Sequence, residues 1–406
     1  MAVALAARGH RVTLACGRYA GAETGLGERV GGGRRRGPVP GGFEVVEFPI
    51  AYGNDQSLPR RAAAFLRYAI AATHLALREG PDVVLASSTP LTVALPALAA
   101  RRLARIPFVF EIRDPWPELP RALSEAWPDG AVPGPVLRAM DRLADAACRH
   151  AAAVVALTEG MAETAVAHGA DPARVHVVPN GCDLGLFGPQ IPSWRPAMAQ
   201  SWEMLATYAG AHGRANGLDA LLDAAAALRD RGERRVRIVL VGEGGEKPRL
   251  VVEARRRGLE NVTFLDPLPK PAIAALLAGS GVALHCLAPI PGFAEWTAPN
   301  KLMDGLAAGR PVVTNVPGRA ARIVEDGPSG IAVPPGDAGA LAAALAGLAA
   351  DPARRAAMGR AARAQAVTRW DRRLQAARLC RVVEGVARPA ARDSVASRVS
   401  ADGPRA

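Results

Sequence analysis

Several features that mark large classes of protein are scarce or missing in this sequence. Its 406 residues include five cysteines, an odd number without a CxxC pair, so neither a disulfide framework nor a zinc site is expected. No uninterrupted apolar stretch is long enough to span a bilayer, and no secretory signal is visible. Aromatic residues make up only 4%, which leaves few stacking platforms for nucleic acid. The sequence therefore favours a globular protein of a reducing cytoplasm.

Common catalytic and cofactor motifs are also missing. The sequence has no HExxH motif and no evident Ser/His/Asp trio, so a hydrolase is not favoured. It has no GxGxxG fingerprint, which makes NAD binding less favoured. It has no DxD pair, the carboxylates through which a metal ion would bridge a diphosphate. We therefore expect no cofactor and no metal dependence, and basic residues and helix N-termini would neutralise a diphosphate instead.

Hydrophobic and basic residues, by contrast, are abundant. Hydrophobic residues make up 50% of the chain, as a globular fold requires. Lys and Arg together number 50 against 38 acidic residues, which gives a formal net charge of +12. That excess favours anionic partners such as nucleotides, polyphosphates, anionic lipid or nucleic acid, without choosing among them.

The order of predicted strands and helices divides the chain into two parts. In each part short apolar strands alternate with helices, which predicts parallel sheets and an α/β fold with two Rossmann-like, doubly wound domains. The predicted domains cover residues 1–188 and 204–368. They are joined by a linker at 189–203 and followed by a helix at 369–387 and a disordered tail at 388–406. Ligands of such sheets bind beyond the carboxyl ends of the strands, so the cleft between the domains is the expected site.

The start of the chain departs from the usual order of a doubly wound domain. It opens with a helix to about Ala7 and continues with a strand at Arg11–Cys16, whereas a strand and a Gly-rich turn normally come first. Either the fold starts unusually, or its first strand precedes Met1. Residues 17–42, rich in Gly and Arg, are predicted to form a mobile loop. Within it, Arg34–Arg36 are either solvated or a binding patch.

A short helix in the second domain has an unusual front end. The stretch APNKLMDGLAAGRPVV predicts a helix with Asn300 as N-cap and Gly309 in the left-handed position after its end. Lys301 lies in the first turn, where a cation has the wrong sign for the helix dipole. Either an anion joins the lysine there, or the lysine is simply solvated.

Polar clusters follow several predicted strands. Asp114 comes at the end of a strand in EIRDPWPE, and the runs YAGAHGRANGLD and VGEGGEKPRL place glycines and basic residues between a strand and a helix. Such turns let backbone N–H groups approach a phosphate closely, so the clusters together predict a phosphate-bearing ligand. For three of these residues a structural role is the alternative to ligand binding. Asp114 could cap a helix, His212 could be a solvated loop histidine, and His285 could be a core histidine.

Several stretches together resemble the GT4 family of retaining glycosyltransferases, which have the GT-B fold of two Rossmann-like domains facing each other across a cleft. The resemblance extends over nearly the whole chain. It rests on the order and spacing of FVFEIRDPWPE, VVPNGCDLGLF, YAGAHGRANGLD, LVGEGGEKPRL, NVTFLDPLPK and PNKLMDGLAAGRPVV. The combination of RDPWPE, HGRANGLD and PNKLMDGLAAG is similar to the WbuB-like branch, whose members build O-antigen or capsule repeat units. The donor in that branch is often a UDP-linked N-acetylated sugar.

The resemblance implies roles for particular residues. The second domain would hold the nucleotide sugar, with Asp304 at the second acidic position of the family's E-x7-E motif, where it accepts hydrogen bonds from the ribose. Trp296 stands at the first acidic position, and the adjacent Glu295 would serve there. Arg214 and Lys247 would replace the usual Arg and Lys of the family's Gly-rich loop. The implied catalytic residues are Asp114, Lys301 and Glu295. The implied donor-binding residues are Gly210, His212, Arg214, Asn216, Gly242, Lys247, Pro269, Asn300 and Asp304.

The implied function is transfer of an N-acetylated hexosamine or deoxyhexosamine from a UDP-sugar to a lipid-linked saccharide or similar acceptor. The implied partners are the donor, the acceptor and the inner face of the membrane, with no nucleic acid. The basic helix predicted at 59–79 carries four arginines beside Phe65, Leu66 and Ile70, which suits an anionic membrane surface. Its alternative is an ordinary amphipathic helix packed on the sheet.

Other functions fit the same architecture. One is a GT-B-like protein that has lost catalysis and only binds a nucleotide or a partner enzyme, which the position of Glu295 would support. Another is a non-hydrolysing UDP-sugar epimerase, which would need acid and base residues between its domains. Nucleic-acid binding is a distant alternative that only the net charge supports.

Overall fold

The computed structural model of the protein describes residues 1–19, 24–26, 33–53, 56–129 and 131–388. Strands and helices alternate along both halves, and the parallel sheets confirm the predicted α/β class. The tail predicted to be disordered at 388–406 lies, apart from its first residue, outside the described residues. In the part of the chain that is described, no helix is both long and apolar enough to cross a bilayer.

The first domain contains a three-stranded and a four-stranded sheet, with strand orders β1-β3-β2 and β4-β5-β6-β7. All neighbours are parallel except β2 and β3. Its strands are β1 (Thr13–Tyr19), β2 (Arg35–Val39), β3 (Phe43–Tyr52), β4 (Val84–Ser87), β5 (Phe108–Ile112), β6 (Ala153–Ala156) and β7 (Val175–Val177). Its helices are α1 (Ala2–Ala6), α2 (Leu58–Glu79), α3 (Ala94–Ala104), α4 (Glu118–Ala126), α5 (Gly134–His150) and α6 (Glu159–Ala167).

The second domain is built on one six-stranded parallel sheet of order β10-β9-β8-β11-β12-β13. Its strands are β8 (Met204–Ala209), β9 (Val236–Val241), β10 (Val262–Leu265), β11 (Val282–His285), β12 (Val312–Thr314) and β13 (Gly330–Ala332). Its helices are α7 (Asp219–Asp230), α8 (Lys247–Arg256), α9 (Lys270–Ala278), α10 (Phe293–Trp296), α11 (Asn300–Ala307), α12 (Arg319–Asp326), α13 (Ala338–Ala350) and α14 (Pro352–Arg369).

The hydrophobic pattern explains why this sheet is buried on both faces. In β9, Val236, Ile238 and Leu240 are fully buried, and so is Val239, which points to the opposite face. A strand with apolar residues at successive positions has no side suited to water, so helices cover both faces. The predicted linker at 189–203 lies in the segment between β7 and β8.

The loop predicted over residues 17–42 is wrong where the structure describes the stretch, while residues 20–23 and 27–32 lie outside the described residues. β1 continues to Tyr19, and β2 pairs antiparallel with β3 inside the stretch. Arg35 and Arg36 therefore lie on a strand, where Arg35 forms an ion pair with the buried Glu47 and Arg36 forms ion pairs with Glu44 and Glu79. Gly and Pro within β2 concealed it, because both residues are typical of turns. The helices α4, α10, α12 and α14 were also not predicted.

The short helix α11 differs from its prediction at one end. Pro299 is its N-cap, and Asn300 is its first helical residue with an exposed side chain, so Asn300 was wrongly predicted as the cap. At the other end Gly309 has a φ of 66°, the left-handed conformation predicted for it. The N–H groups of the first turn are free of a side-chain cap.

The last helix, α15 (Arg372–Val386), crosses back to the first domain. Leu379 and Val383 of α15 share a buried cluster with Leu5 of α1 and Val109 of β5. At the surface, the carboxylate of Glu384 accepts a hydrogen bond of 2.6 Å from the guanidinium of Arg8. The end of the chain thus completes the core of its first domain.

The two domains also meet at the carboxyl ends of their sheets. Trp296 and Ala298 of the second domain pack against the main hydrophobic cluster of the first. Asn180 donates a hydrogen bond of 3.2 Å to the carbonyl of Ala298. Arg319 on α12 reaches across to Glu159 on α6, with 3.1 Å between the ion-paired atoms. Both sets of strand ends therefore face a shared cleft.

Candidate functional site

A cavity of about 390 Å³ lies at the carboxyl ends of β8, β9 and β11. Four of the predicted site residues line it: Gly210, Gly242, Lys301 and Asp304. Thr207 and Lys270 add further polar groups to its wall. The cavity lies at the edge where parallel α/β sheets bind their ligands.

Glycine is required at two positions of the cavity wall. A Cβ on Gly210 would lie 1.8 Å from Cε of Lys301, and one on Gly242 would lie 2.0 Å from the carbonyl oxygen of Gly210. Gly242 also has a φ of 140°, which L side chains rarely adopt. The two glycines therefore let the strand ends and the lysine approach each other closely, and they leave backbone groups open to a ligand.

Lys301 is the less exposed of the two lysines that line the cavity, and in the described residues it has no carboxylate partner. Its ammonium group donates a hydrogen bond of 3.0 Å to Oδ1 of Asn216 and lies 4.9 Å from the ring centroid of Tyr208. The hydroxyl of Tyr208 donates to the same Asn216 oxygen at 2.8 Å. Burial lowers the pKa of Lys301 to about 8. A half-buried ammonium group whose contacts are with neutral groups is suited to bind an anion.

Asp304 lies on the same helix as Lys301 and also faces the cavity. Burial raises the pKa of its carboxyl to about 6, although the nearby Lys270 opposes that shift. Asp183, from the segment after β7, adds to the increase. A half-buried carboxylate of this kind is a good acceptor for the hydroxyl groups of a ligand.

Two predicted cations are engaged by carboxylates instead. Arg214 donates a hydrogen bond of 3.2 Å to Asp129 of the first domain, and its guanidinium lies 5.0 Å from the ring centroid of Trp127. Lys247 forms ion pairs with Asp266 at 2.8 Å and with Glu243 at 3.2 Å. Neither Arg214 nor Lys247 is among the residues that line the cavity. Pro269 is the N-cap of α9, two residues after Pro267 of the cavity wall.

The two histidines singled out in the sequence are both buried. His212 is fully buried rather than solvated, 6.1 Å from the ring of Tyr208 and 6.4 Å from that of Phe264. Burial lowers the pKa of His212. His285 lies in the core as predicted, where Nδ1 is 2.9 Å from Oγ1 of Thr314, and burial lowers its pKa to about 3. Both imidazoles are therefore uncharged at neutral pH.

The other two predicted catalytic residues lie outside the cavity. Asp114 follows β5 in the first domain, and its Oδ2 accepts a hydrogen bond of 2.5 Å from the hydroxyl of Thr89. Glu295 on α10 forms an ion pair of 2.7 Å with Arg322 and lies directly against Gly160 of the first domain. The structure thus brings Lys301 and Asp304 together, and it places Asp114 and Glu295 at the facing domain surfaces.

Sequence reasoning missed four polar residues of the site: Thr207, Tyr208, Asp183 and Lys270. Lys270 was within reach, because it follows a predicted strand in the run FLDPLPK that carried the resemblance. Thr207 and Tyr208 lie inside the buried strand β8, where nothing distinguishes them from core residues. Among the described residues, no three His, Cys, Asp or Glu side chains gather as a metal site would require.

The molecule thus consists of two α/β domains that face each other, with a cavity at the strand ends of the second one. This is the arrangement of GT-B proteins. Residues 1–181 match the family described as Glycosyl transferase 4-like domain, and residues 204–351 match the one described as Glycosyl transferases group 1. The two matches together extend over more than half of the chain. The protein therefore belongs to the GT4 family of glycosyltransferases, as the sequence motifs predicted.

Known relatives support this assignment. The D-inositol 3-phosphate glycosyltransferase of Kribbella flavida is 33% identical over 211 residues, which cover 49% of this chain and 48% of that protein. The chain spans about half the length of the curated relatives it matches.

Solved structures share the fold at lower identity. The sucrose-phosphate synthase of Thermosynechococcus elongatus has a TM-score of 0.75 at 18% identity, covering 95% of this chain and 91% of that one. The Anabaena protein HepE in complex with UDP has a TM-score of 0.61 at 21% identity, covering 82% and 85%. Likeness at these identities shows the GT-B fold alone.

Proposed function

We propose that the protein transfers a sugar, with retention, from a UDP-sugar to a lipid-linked saccharide or similar acceptor. The observation that carries this proposal is Lys301, a half-buried ammonium group that has no carboxylate partner among the described residues and lies beside the glycines at the strand ends. A diphosphate supplies the missing negative charge, and the free N–H groups of the first turn of α11 add donors. The sugar would be an N-acetylated hexosamine or deoxyhexosamine, as in the family branch that the motifs resemble.

The chemistry follows from where charge develops. As the bond between the anomeric carbon and the β-phosphate oxygen breaks, negative charge grows on the leaving UDP. Lys301 and the N–H groups at the start of α11 are preorganised to stabilise it. Asp304, one turn further along the helix, would accept hydrogen bonds from the ribose hydroxyls. The acceptor hydroxyl would arrive from the side of the first domain, where Asp114 lies. Closure of the two domains would expel water and limit hydrolysis of the donor.

The first domain has a surface that suits a lipid-linked acceptor. On α2 the side chains of Leu66 and Ile70 are 57% and 59% exposed, although the helix also packs on the sheet. Arg60 and Arg67 lie on the same helix. Apolar side chains flanked by basic ones suit the interface of an anionic membrane, so we place the protein at its cytoplasmic face. A lipid-linked acceptor also fits a role in O-antigen or capsule synthesis.

Calorimetric titration of the chain with UDP, with GDP and NAD as comparators, tests the donor site. We expect binding selective for UDP. Replacing Lys301 with Ala should weaken it by roughly 1.5–3 kcal/mol, the scale of a charge-assisted hydrogen bond. An unchanged affinity would remove Lys301 from the site, and no binding of any of the three would refute the assignment of the ligand.

A GT-B-like protein that binds a nucleotide without catalysis is the second candidate. It is favoured by Trp296, which stands at the family's first acidic position and packs against the first domain. It is also favoured by Glu295, which is engaged by Arg322. UDP release from UDP-N-acetylglucosamine on addition of a polyprenyl-linked saccharide separates the two candidates, because only a transferase shows acceptor-dependent release.

A further inference from the structure

His168, at the C-terminus of α6, bridges two carboxylates from two other helices. Its Nε2 lies 2.8 Å from Oε1 of Glu118, the first residue of α4, and its Nδ1 lies 2.7 Å from Oδ1 of Asp145 on α5. The imidazole is only 12% exposed. An imidazole can donate through both nitrogens only as a cation, so this geometry selects the imidazolium form. The position at a helix C-terminus favours the same charge.

Glu118, which His168 binds, is the last residue of the segment 113–118 that contains Asp114. Residues 113–118 connect β5 to α4, and within the described residues Oε2 of Glu118 is buried without a partner. His168 is therefore its main anchor. Upstream, the backbone N–H of Arg113 donates to Oγ of Ser88 at 3.1 Å, and Thr89 donates to Asp114. The segment is thus held at its start by the end of β4 and at its end by His168.

Asp114 and His168 also line one small cavity. It has a volume of about 10 Å³, and both Asp114 and His168 contribute to its wall, together with Cys148 and Thr164. That volume holds about one water molecule. Asp114 and His168 thus line the same site, and residues 115–117 connect Asp114 to the start of α4, which His168 holds.

We propose that His168 is a positioning residue for Asp114: by tying the start of α4 to α5 and α6, it fixes segment 113–118 at the facing edge of the first domain. The role of Asp114 rests on the proposed function, whereas the anchoring of the segment does not. Neither the family motifs nor the donor cavity contains His168. Breaking the bridge should leave nucleotide binding intact and impair transfer, because the donor cavity lies in the other domain.

The charged and titratable groups around His168 come from each element packed against it. Glu118 faces it from α4, while Asp145 and Cys148 face it from α5. Arg149, on the same helix, forms an ion pair with Asp145. Asp114 lines the small cavity that His168 also lines. Hydrogen bonding to Glu118 is the largest cause that raises the pKa of His168 to about 9. The bridge is therefore intact at neutral pH.

The test compares the full chain with His168→Gln, His168→Arg, Glu118→Gln and the control His176→Gln, which alters an exposed histidine on β7. Hydrogen exchange followed by mass spectrometry measures protection of residues 113–118 against that of β9. Calorimetry measures UDP affinity, and release of UDP from UDP-N-acetylglucosamine with a polyprenyl-linked saccharide gives kcat and KM.

In His168→Gln we expect about tenfold faster exchange at 113–118, with β9 unchanged. We also expect kcat to fall by about tenfold or more at unchanged donor KM and UDP affinity. His168→Arg should recover part of kcat, since it keeps a cation between the two carboxylates, and His176→Gln should behave as the wild type. If His168→Gln does not fold, Glu118→Gln decides, because it keeps the shape of the side chain and removes only the negative charge that strengthens the hydrogen bond from His168.

Unchanged exchange at 113–118 in both His168→Gln and Glu118→Gln would overturn the proposal. Faster exchange with an unaltered kcat would overturn it as well. If the wild type binds no UDP and releases none, the proposed function fails, and the exchange measurement alone then decides whether His168 anchors the segment.

Discussion

Replacing Lys301 with Met should make the ligand-free protein more stable while it weakens UDP binding. The pKa of Lys301 falls from 10.5 in the unfolded chain to about 8 in the folded one, because the ammonium group is buried. At about 1.4 kcal/mol for each pH unit, the charged form costs the folded state up to about 3 kcal/mol at pH 7. Met has a similar length without the charge, so it removes that cost. It also removes the hydrogen bond to Asn216, which leaves a net gain of about 1–2 kcal/mol.

The dependence on pH provides an independent check. The unfolded chain binds the proton of Lys301 more tightly than the folded one does, so this residue makes stability rise as pH increases from about 8 toward 10.5. The stability advantage of Lys301→Met over the wild type should therefore be largest at pH 7 and be lost by about pH 10.5, where only the missing hydrogen bond to Asn216 still separates the two proteins. Urea denaturation at both pH values measures it, and calorimetry with UDP measures the loss of binding.

Lys270→Met is the matched control for stability, because Lys270 also belongs to the cavity wall but is exposed. Its stability should stay within about 0.5 kcal/mol of the wild type. A Lys301→Met protein that is less stable than the wild type at pH 7 would refute the reasoning. The lysine would then stabilise the ligand-free fold through its own contacts, and it would not need a bound anion.

Three other perturbations test separate parts of the structure. Gly210→Ala should weaken UDP binding by at least about tenfold, because its Cβ would overlap Cε of Lys301 and displace the ammonium group, and calorimetry measures the change. His168 should make the wild type lose stability as pH rises from about 6.5 to about 9, the range between its unfolded and folded pKa values, and His168→Gln should remove that loss in urea titrations. Trp296→Ala should loosen the contact between the domains, which X-ray scattering would detect as a larger radius of gyration; an unchanged radius would contradict the role of Trp296.

The sequence was most informative where function depends on local backbone geometry. The helix at Asn300–Ala307 and the left-handed Gly309 follow from residues close together in the chain. Gly210 and Gly242 were found for the same reason, since a glycine between a strand and a helix predicts close backbone approach.

Partners distant in the chain could not be predicted. Arg214 was expected at the donor, but Asp129 lies 85 residues earlier, and no local pattern connects the two. His212 was expected in solvent or at the ligand, yet the rings of Tyr208 and Phe264 enclose it. Such contacts arise only when separate strands come together, so a periodicity read along one segment cannot reveal them.

The path of α15 has a consequence for how this chain can be made and divided. Leu379 and Val383 of α15 bury an apolar surface of β5, so that surface remains exposed to water until α15 has been synthesised. A fragment of residues 1–188 expressed alone would display that surface to water and should aggregate. Adding residues 372–386 to it as a separate peptide should restore its solubility. The first domain is thus translated before the second domain, but its core is completed after it.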